Sequence, residues 1–373
     1  MKKRFKQIMI IFLSVVLLLA FALYIFMQQD QFGKLPTGKR LERIKKSPNF
    51  RDGAFQNQHH TPDLSEDATY FSVLKEFLFT KKERLKPVDS IPSTKTDLLS
   101  LQKDANILVW FGHSSYFMQI DGKTILVDPV FSGAASPISF TTPSFKGTDV
   151  YDVEDFPTID YLFISHDHWD HLDYSTILKL KSKVKTVITG LGTGEHFESW
   201  GFDTNTIIEE DWNTKIKLDS GFTVHTTPAR HFSGRGFKRN QALWTSFVLQ
   251  TPTIKIYIGG DSGYDTHFAE IGKQHGPFDL AILENGQYDK SWKYIHMMPE
   301  EVVQAAQELG ASRLFPVHSS KFTLGNHPWD EPLKRVSVAA EAVKLSLVTP
   351  MIGEKVNLKD TMQVFSAWWL KVN

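Results

Sequence analysis

The chain has 373 residues, 41% hydrophobic and 23% charged, with no cysteine. That balance describes a globular core with a polar surface and excludes wholesale disorder, while the missing thiols exclude disulfides, cysteine nucleophiles and thiolate-held metals. Lys+Arg and Asp+Glu both number 42, so no net charge draws the chain toward nucleic acid, and any metal must be held by imidazole and carboxylate.

The chain opens with the basic stretch MKKRFK, followed by residues 8–27, in which only Ser14 is polar. About 20 apolar residues at 1.5 Å rise span a hydrocarbon core of roughly 30 Å, so this segment is read as a single-pass membrane anchor. Ala20-Phe21-Ala22 resembles a signal-peptide cleavage site, but the apolar run continues to Met27, an odd start for a mature chain. Lys2, Lys3, Arg4 and Lys6 place the N-terminus inside and the remainder outside the cytoplasm. Three segments are therefore expected: stub and anchor over 1–30, a polar lead-in packing on the catalytic domain over 31–104, and that catalytic domain over 105–373.

Within the lead-in, a helix is predicted near 70–79. Beyond it, short apolar runs at 107–111, 116–120, 124–127, 161–164, 186–188, 222–226, 243–249, 254–258, 279–283 and 313–317 predict strands. Asp121-Gly122 predicts a hairpin turn. Residues 174–180 and 299–309 read as helices, the second with Pro299 in its first turn and Gly310 as its stop. Strands interleaved with helices argue for an α/β (α+β) architecture of two packed sheets with helices outside. Trp368-Trp369 is read as core packing in preference to a membrane-interface anchor.

The most informative segment is Ser165-His166-Asp167-His168-Trp169-Asp170-His171. Burying so many polar groups after an apolar strand is costly unless a cation pairs them, and neutral imidazole with ionised carboxylate suits zinc. Two further histidines, His231 and His318, and a carboxylate, Asp261, follow strands downstream. This order resembles the metallo-β-lactamase superfamily. The resemblance implies an αββα sandwich with two Zn²⁺ at one edge: His166, His168 and His231 on one ion, Asp170, His171 and His318 on the other, and Asp261 bridging. With a bridging hydroxide the centre stays net cationic, which favours an anionic substrate.

Further stretches, among them Trp110-Phe111-Gly112-His113-Ser114-Ser115, Leu126-Val127-Asp128-Pro129, Pro228-Ala229-Arg230-His231-Phe232-Ser233-Gly234-Arg235 and His296-Met297-Met298-Pro299-Glu300-Glu301, resemble the N-acylphosphatidylethanolamine phospholipase D family. That implies attack of the bridging hydroxide on a membrane phosphodiester, giving N-acylethanolamine and phosphatidic acid. Asp170 would orient the hydroxide. His296 would protonate the leaving group, and Arg235 would contact a phosphate oxygen. Asp128 and His113 are expected beside the site, not as ligands. The alternatives are a lactonase or cyclic-nucleotide phosphodiesterase on the same scaffold, or a non-catalytic anchored metal-binding module. Manganese or iron could replace zinc in such a donor set. No nucleic-acid partner is expected, since no basic stretch interleaved with aromatics stands out.

Overall fold

Asp121 and Gly122 take left-handed φ angles of 47° and 80°, as a two-residue hairpin turn requires. They join strands Tyr116–Ile120 and Lys123–Val127. This is a computed structural model, and it describes residues 2–80 and 82–373; Met1, which opens the basic stretch, and Lys81, in the lead-in, lie outside the described residues.

Two seven-stranded sheets form the body. The first runs, in spatial order, Lys355–Asn357, Ile107–Trp110, Tyr116–Ile120, Lys123–Val127, Ile159–Ile164, Val184–Gly190 and Ile207–Glu210. The second runs Ser346–Leu347, Arg313–Val317, Leu280–Glu284, Lys255–Ile258, Ser246–Gln250, Thr223–Thr227 and Lys215–Lys217. Side chains alternate faces along a strand, so each sheet has two faces to cover. Leu108, Val127 and Phe163 of the first sheet meet Phe247, Ile258 and Phe315 of the second in one core between them. On the outer face of the first sheet, Phe117, Leu126 and Leu162 pack with Ile177, Leu180 and Phe197 of helices Tyr174–Leu180 and Gly194–Ser199. Helices His267–His275, Pro299–Glu308 and Glu331–Ala342 cover the second sheet. The αββα sandwich is thus the observed architecture.

Both predicted helices of the body and the predicted helix Tyr70–Phe79 form. Helices Gly194–Ser199, His267–His275 and Glu331–Ala342 and the edge strands Lys215–Lys217 and Lys355–Asn357 are additional to the sequence reading. Trp368 and Trp369 are buried, with Trp368 against Trp110 and Trp329, so packing is their role. The helix Lys2–Phe26 is long and apolar enough to cross a membrane, and none of it is buried in the protein.

The segment 31–104 lies along the sandwich. Arg40, half-hidden, forks onto Glu195, Glu198 and Glu209 at 2.6–2.7 Å. Asn49 donates to Asp211 at 2.7 Å, and Arg84 pairs with buried Asp330 at 2.5 Å. These contacts span more than 150 positions each.

Candidate metal centre

All four motif segments leave the sheets at the same edge. His166–His171 follows strand Ile159–Ile164, His231 follows Thr223–Thr227, Asp261 follows Lys255–Ile258, and His318 follows Arg313–Val317. Close approach of these loops needs a glycine: a Cβ on Gly260 would lie 2.7 Å from Ser165 Cβ. His113, Asp128 and His318 each hold a left-handed φ, of 52°, 41° and 68°. Non-glycine residues adopt that conformation at a cost, and such strain clusters at functional sites.

The structure brings the seven metal-ligating side chains expected from sequence into one buried cluster. His166, His168 and His231 form one trio, with His168 Nδ1 2.9 Å from His166 Nε2 and 3.2 Å from His231 Nε2. Asp170, His171 and His318 converge beside it, together with His113. Asp261 stands between the groups. Its carboxylate lies 3.8 Å from both His166 Nε2 and His231 Nε2, and 3.2 Å from His171 Nε2 and His318 Nδ1.

The hydrogen bonds decide which nitrogens face inward. His231 Nδ1 donates to Ile295 O at 3.0 Å, leaving the Nε2 lone pair toward the trio. His171 Nδ1 donates to Asp128 Oδ2 at 2.9 Å, and its Nε2 has no hydrogen-bond partner. Asp261 Oδ1 is likewise buried and unpartnered. Orphaned buried polar atoms are rare in folded proteins, and lone pairs turned toward one another repel unless a cation sits among them. The donor set of imidazole and carboxylate therefore fits a metal of the zinc, manganese or iron kind.

Burial holds His166, His231 and His318 well below the ordinary imidazole range and brings His168 down to about 4. Neutral imidazole is the ligating form. Burial would also depress His171, but the carboxylates of Asp261, Asp170 and Asp128 push it well up. For Asp170, burial opposes ionisation, and His171 and His113 overcome it, so the carboxyl sits well below its usual range. Burial raises Asp261 to about 6.

An outer layer orients these groups. Asp128 accepts from His171 Nδ1, from the Ser165 amide at 2.8 Å and from Ser165 Oγ at 2.6 Å, so it is a supporting carboxylate. His113 Nε2 donates to Asp170 Oδ2 at 2.8 Å. Asn57, in the lead-in, brackets His231: its Oδ1 accepts from the His231 amide at 3.1 Å and its Nδ2 donates to the His231 carbonyl at 2.8 Å. Such outer partners fix ligand orientation.

His296 reaches the centre, with its Nδ1 2.8 Å from Glu284 Oε2 and its ring stacked on that of His318. Glu284 is fully buried and also accepts from the Met297 amide at 2.9 Å; burial raises its carboxyl well above the usual range. Sequence reading passed over Glu284. The available signal was a carboxylate closing the apolar strand Leu280–Glu284, whose parallel neighbours are followed by Asp261 and His318.

Arg235 departs from expectation. It does not line the metal cavity. Its guanidinium is buried and donates to the carbonyls of Gln31, Asp167 and Leu172 at 2.7–3.0 Å, while stacking 3.8 Å from the Trp169 ring centroid. Its guanidinium is thus turned to main chain on both flanks of the His168–His171 turn and away from the cavity where a substrate phosphate was expected. Asp167 also turns away from the centre, accepting from the Gly234 amide at 2.6 Å and facing His196 at 3.2 Å.

A cavity of about 330 Å³ opens over the cluster. His168, Asp170, His231, Asp261, His296 and His318 form its floor, and Leu64, Tyr70, Phe232, Arg239, Trp292 and Leu324 its rim.

With this sandwich and this edge-mounted cluster, the protein falls in the class of metal-dependent hydrolases. The model of the beta-lactamase superfamily domain matches residues 123–319, just over half of the chain, and the chain belongs to the metallo-β-lactamase superfamily. An uncharacterised Mycobacterium tuberculosis protein is 37% identical over 329 residues, which cover 87% of this chain and 88% of that one. The N-acyl-phosphatidylethanolamine-hydrolyzing phospholipase D 1 of Caenorhabditis elegans is 30% identical over 66% of this chain and 74% of its own length. Among solved structures, the metallo hydrolase Igni18 of Ignicoccus hospitalis superposes with a TM-score of 0.53 at 21% identity, over 68% of this chain and 97% of that one, which speaks to the fold alone.

Proposed function

We propose that the protein is a dizinc phosphodiesterase of phospholipase D type. It cleaves N-acylphosphatidylethanolamine to N-acylethanolamine and phosphatidic acid, and the helix Lys2–Phe26 holds it in a membrane with the catalytic domain outside the cytoplasm. The observation that carries this reading is Asp261, whose carboxylate stands between two sets of inward-facing imidazoles at the floor of an open cavity. His166, His168 and His231 would hold one ion, Asp170, His171 and His318 the other, and Asp261 both. The similarity to the Caenorhabditis elegans phospholipase supports the substrate class.

When bound, a zinc pair supplies Lewis acidity and a water acidic enough to act as nucleophile near neutral pH. Asp170, fixed by His113, orients the attacking water. The new P–O bond forms as the P–O bond to the ethanolamide breaks, and the leaving alkoxide needs a proton. His296, anchored at Nδ1 by Glu284, presents Nε2 to the cavity and delivers that proton.

The test is the full chain, zinc-loaded and reconstituted in vesicles containing N-acylphosphatidylethanolamine, with both products followed by mass spectrometry and bound metal by elemental analysis. Both products should appear, with two zinc ions per chain, and Asp261→Asn should abolish them. Cleavage of a generic phosphodiester or a lactone, with the lipid untouched, overturns the substrate while leaving a metallo-hydrolase.

A further inference from the structure

The apolar helix does not simply trail from the fold; its exit is seated on the catalytic loops. Met27 packs against Gly236, a Cβ on which would lie 3.1 Å from Met27 Cε. Phe26 meets Phe32 edge-on at 5.2 Å, and Phe32 meets Trp169 of the metal loop at 5.1 Å. Gln31 Nε2 reaches the Pro137 carbonyl at 3.5 Å. Two of the loops touched at this exit carry a bare aromatic ring. Phe237, next to Gly236, is 80% exposed, and Phe140, three residues beyond Pro137, is 81% exposed.

The same surface continues to the cavity mouth. Asp63 accepts from Arg239 at 3.1 Å and from the Tyr70 hydroxyl at 2.9 Å, which ties helix Tyr70–Phe79 to the loop bearing Phe237. That helix turns Tyr70, Phe71, Leu74 and Phe79 outward, all more than half exposed, and Tyr70 lines the cavity rim. Large rings left in water on three neighbouring elements mark an interaction surface. Their position beside the exit of a membrane-length helix selects the partner, since aromatic residues favour the headgroup level of a bilayer.

We propose that this rim is a second membrane contact: the catalytic domain lies on the phospholipid bilayer that Lys2–Phe26 enters, with Phe140, Phe237 and the Tyr70–Phe79 helix immersed at the interface, so that the metal cavity opens onto that leaflet. The inference rests on the reading of Lys2–Phe26 as an anchor, and it makes the substrate a lipid of the same membrane, reached without leaving the bilayer. An amphipathic helix lying in the interface sinks its apolar face about 5–10 Å below the headgroups.

The chain has no cysteine, so single labels are unambiguous. The full zinc-loaded protein, reconstituted in phosphatidylcholine–phosphatidylglycerol vesicles, would carry an environment-sensitive dye at Phe71→Cys, Leu74→Cys, Phe140→Cys or Phe237→Cys. The reference is Lys359→Cys, which lies with Asn106 and Thr253 at the opposite edge of the sandwich. Zinc content, measured on each variant, shows that it is folded. Lipids bearing shallow spin labels should quench the four rim positions at least about threefold more than position 359, as immersion to that depth requires. Equal quenching at rim and reference overturns the proposal, as does failure of the protein to float with the vesicles. Hydrolysis is scored on the same samples: rim quenching without lipid cleavage removes the proposed substrate and leaves the docking standing, whereas cleavage without rim quenching removes the docking alone.

Discussion

Arg235→Lys separates two roles that a cationic residue near a metal-dependent hydrolase centre can play. In the structure the guanidinium serves three carbonyls, those of Gln31, Asp167 and Leu172, through three nitrogens in one plane. A lysine keeps the charge but has one nitrogen and no planar fork, so at least one buried carbonyl, and more readily two, loses its donor. Each such loss costs about 1–3 kcal/mol, and the stacking on Trp169 adds to it, giving about 2–4 kcal/mol in all. With an unfolding entropy of about 2.1 cal/mol/K per residue, a chain of this size has roughly 0.8 kcal/mol/K, so Tm should fall by about 3–5 °C. Because two of the carbonyls flank the His168–His171 turn, zinc affinity should fall as well, by about tenfold. The assay is thermal unfolding of the reconstituted full chain with and without zinc, alongside KM for a phosphodiester. An unchanged Tm and zinc affinity with a raised KM would refute the reasoning and return Arg235 to the substrate.

Asn57→Ala removes both side-chain hydrogen bonds to the His231 main chain; it should weaken zinc binding about tenfold, read by competition with a chromogenic chelator, and an unaltered affinity would show that the lead-in does not support the centre. Glu284→Gln keeps the shape but changes the group holding His296 Nδ1; kcat should drop by about tenfold or more with its pH profile displaced, while zinc content stays intact, and an unmoved profile would separate Glu284 from proton transfer. Zinc binding should depend on pH in a definite direction. Burial raises the Asp261 carboxyl to about 6 in the metal-free fold, above its unfolded value, so its protonated form stabilises the metal-free protein at low pH and that contribution is lost as pH rises through 6. Zinc must displace this proton; below pH 6 affinity should fall about tenfold per unit, more steeply if the His171 proton is also released, and a flat calorimetric profile between pH 5 and 7 would contradict it.

Much of the centre was legible along the chain because His166–His171, Asp261 and His318 closely follow short apolar strands. Asp261 and His318 follow parallel strands of one sheet and so emerge at one edge, whereas His166–His171 follows a strand of the other sheet and meets them through the packing of the two sheets. The polar edge strands Lys215–Lys217 and Lys355–Asn357 escaped because exposed and buried positions alternate over only three residues, too few to carry a period. Helix Gly194–Ser199 escaped for a similar reason, being six residues long with glycine first.

Side-chain commitments were another matter. Whether an arginine two residues past Ser233 meets a phosphate or three carbonyls depends on what lies around it, and one of those carbonyls, Gln31 O, is 204 positions away. The bracket of Asn57 on His231 spans 174 positions. Local sequence determined the donor types, their order and the strands that deliver them, since those follow from periodicity and residue chemistry. Only the tertiary structure decided which nitrogens keep a free lone pair, which charges are spent on main chain, and where the apolar helix leaves the fold, because burial and hydrogen bonding are settled by neighbours that the chain brings in from far away.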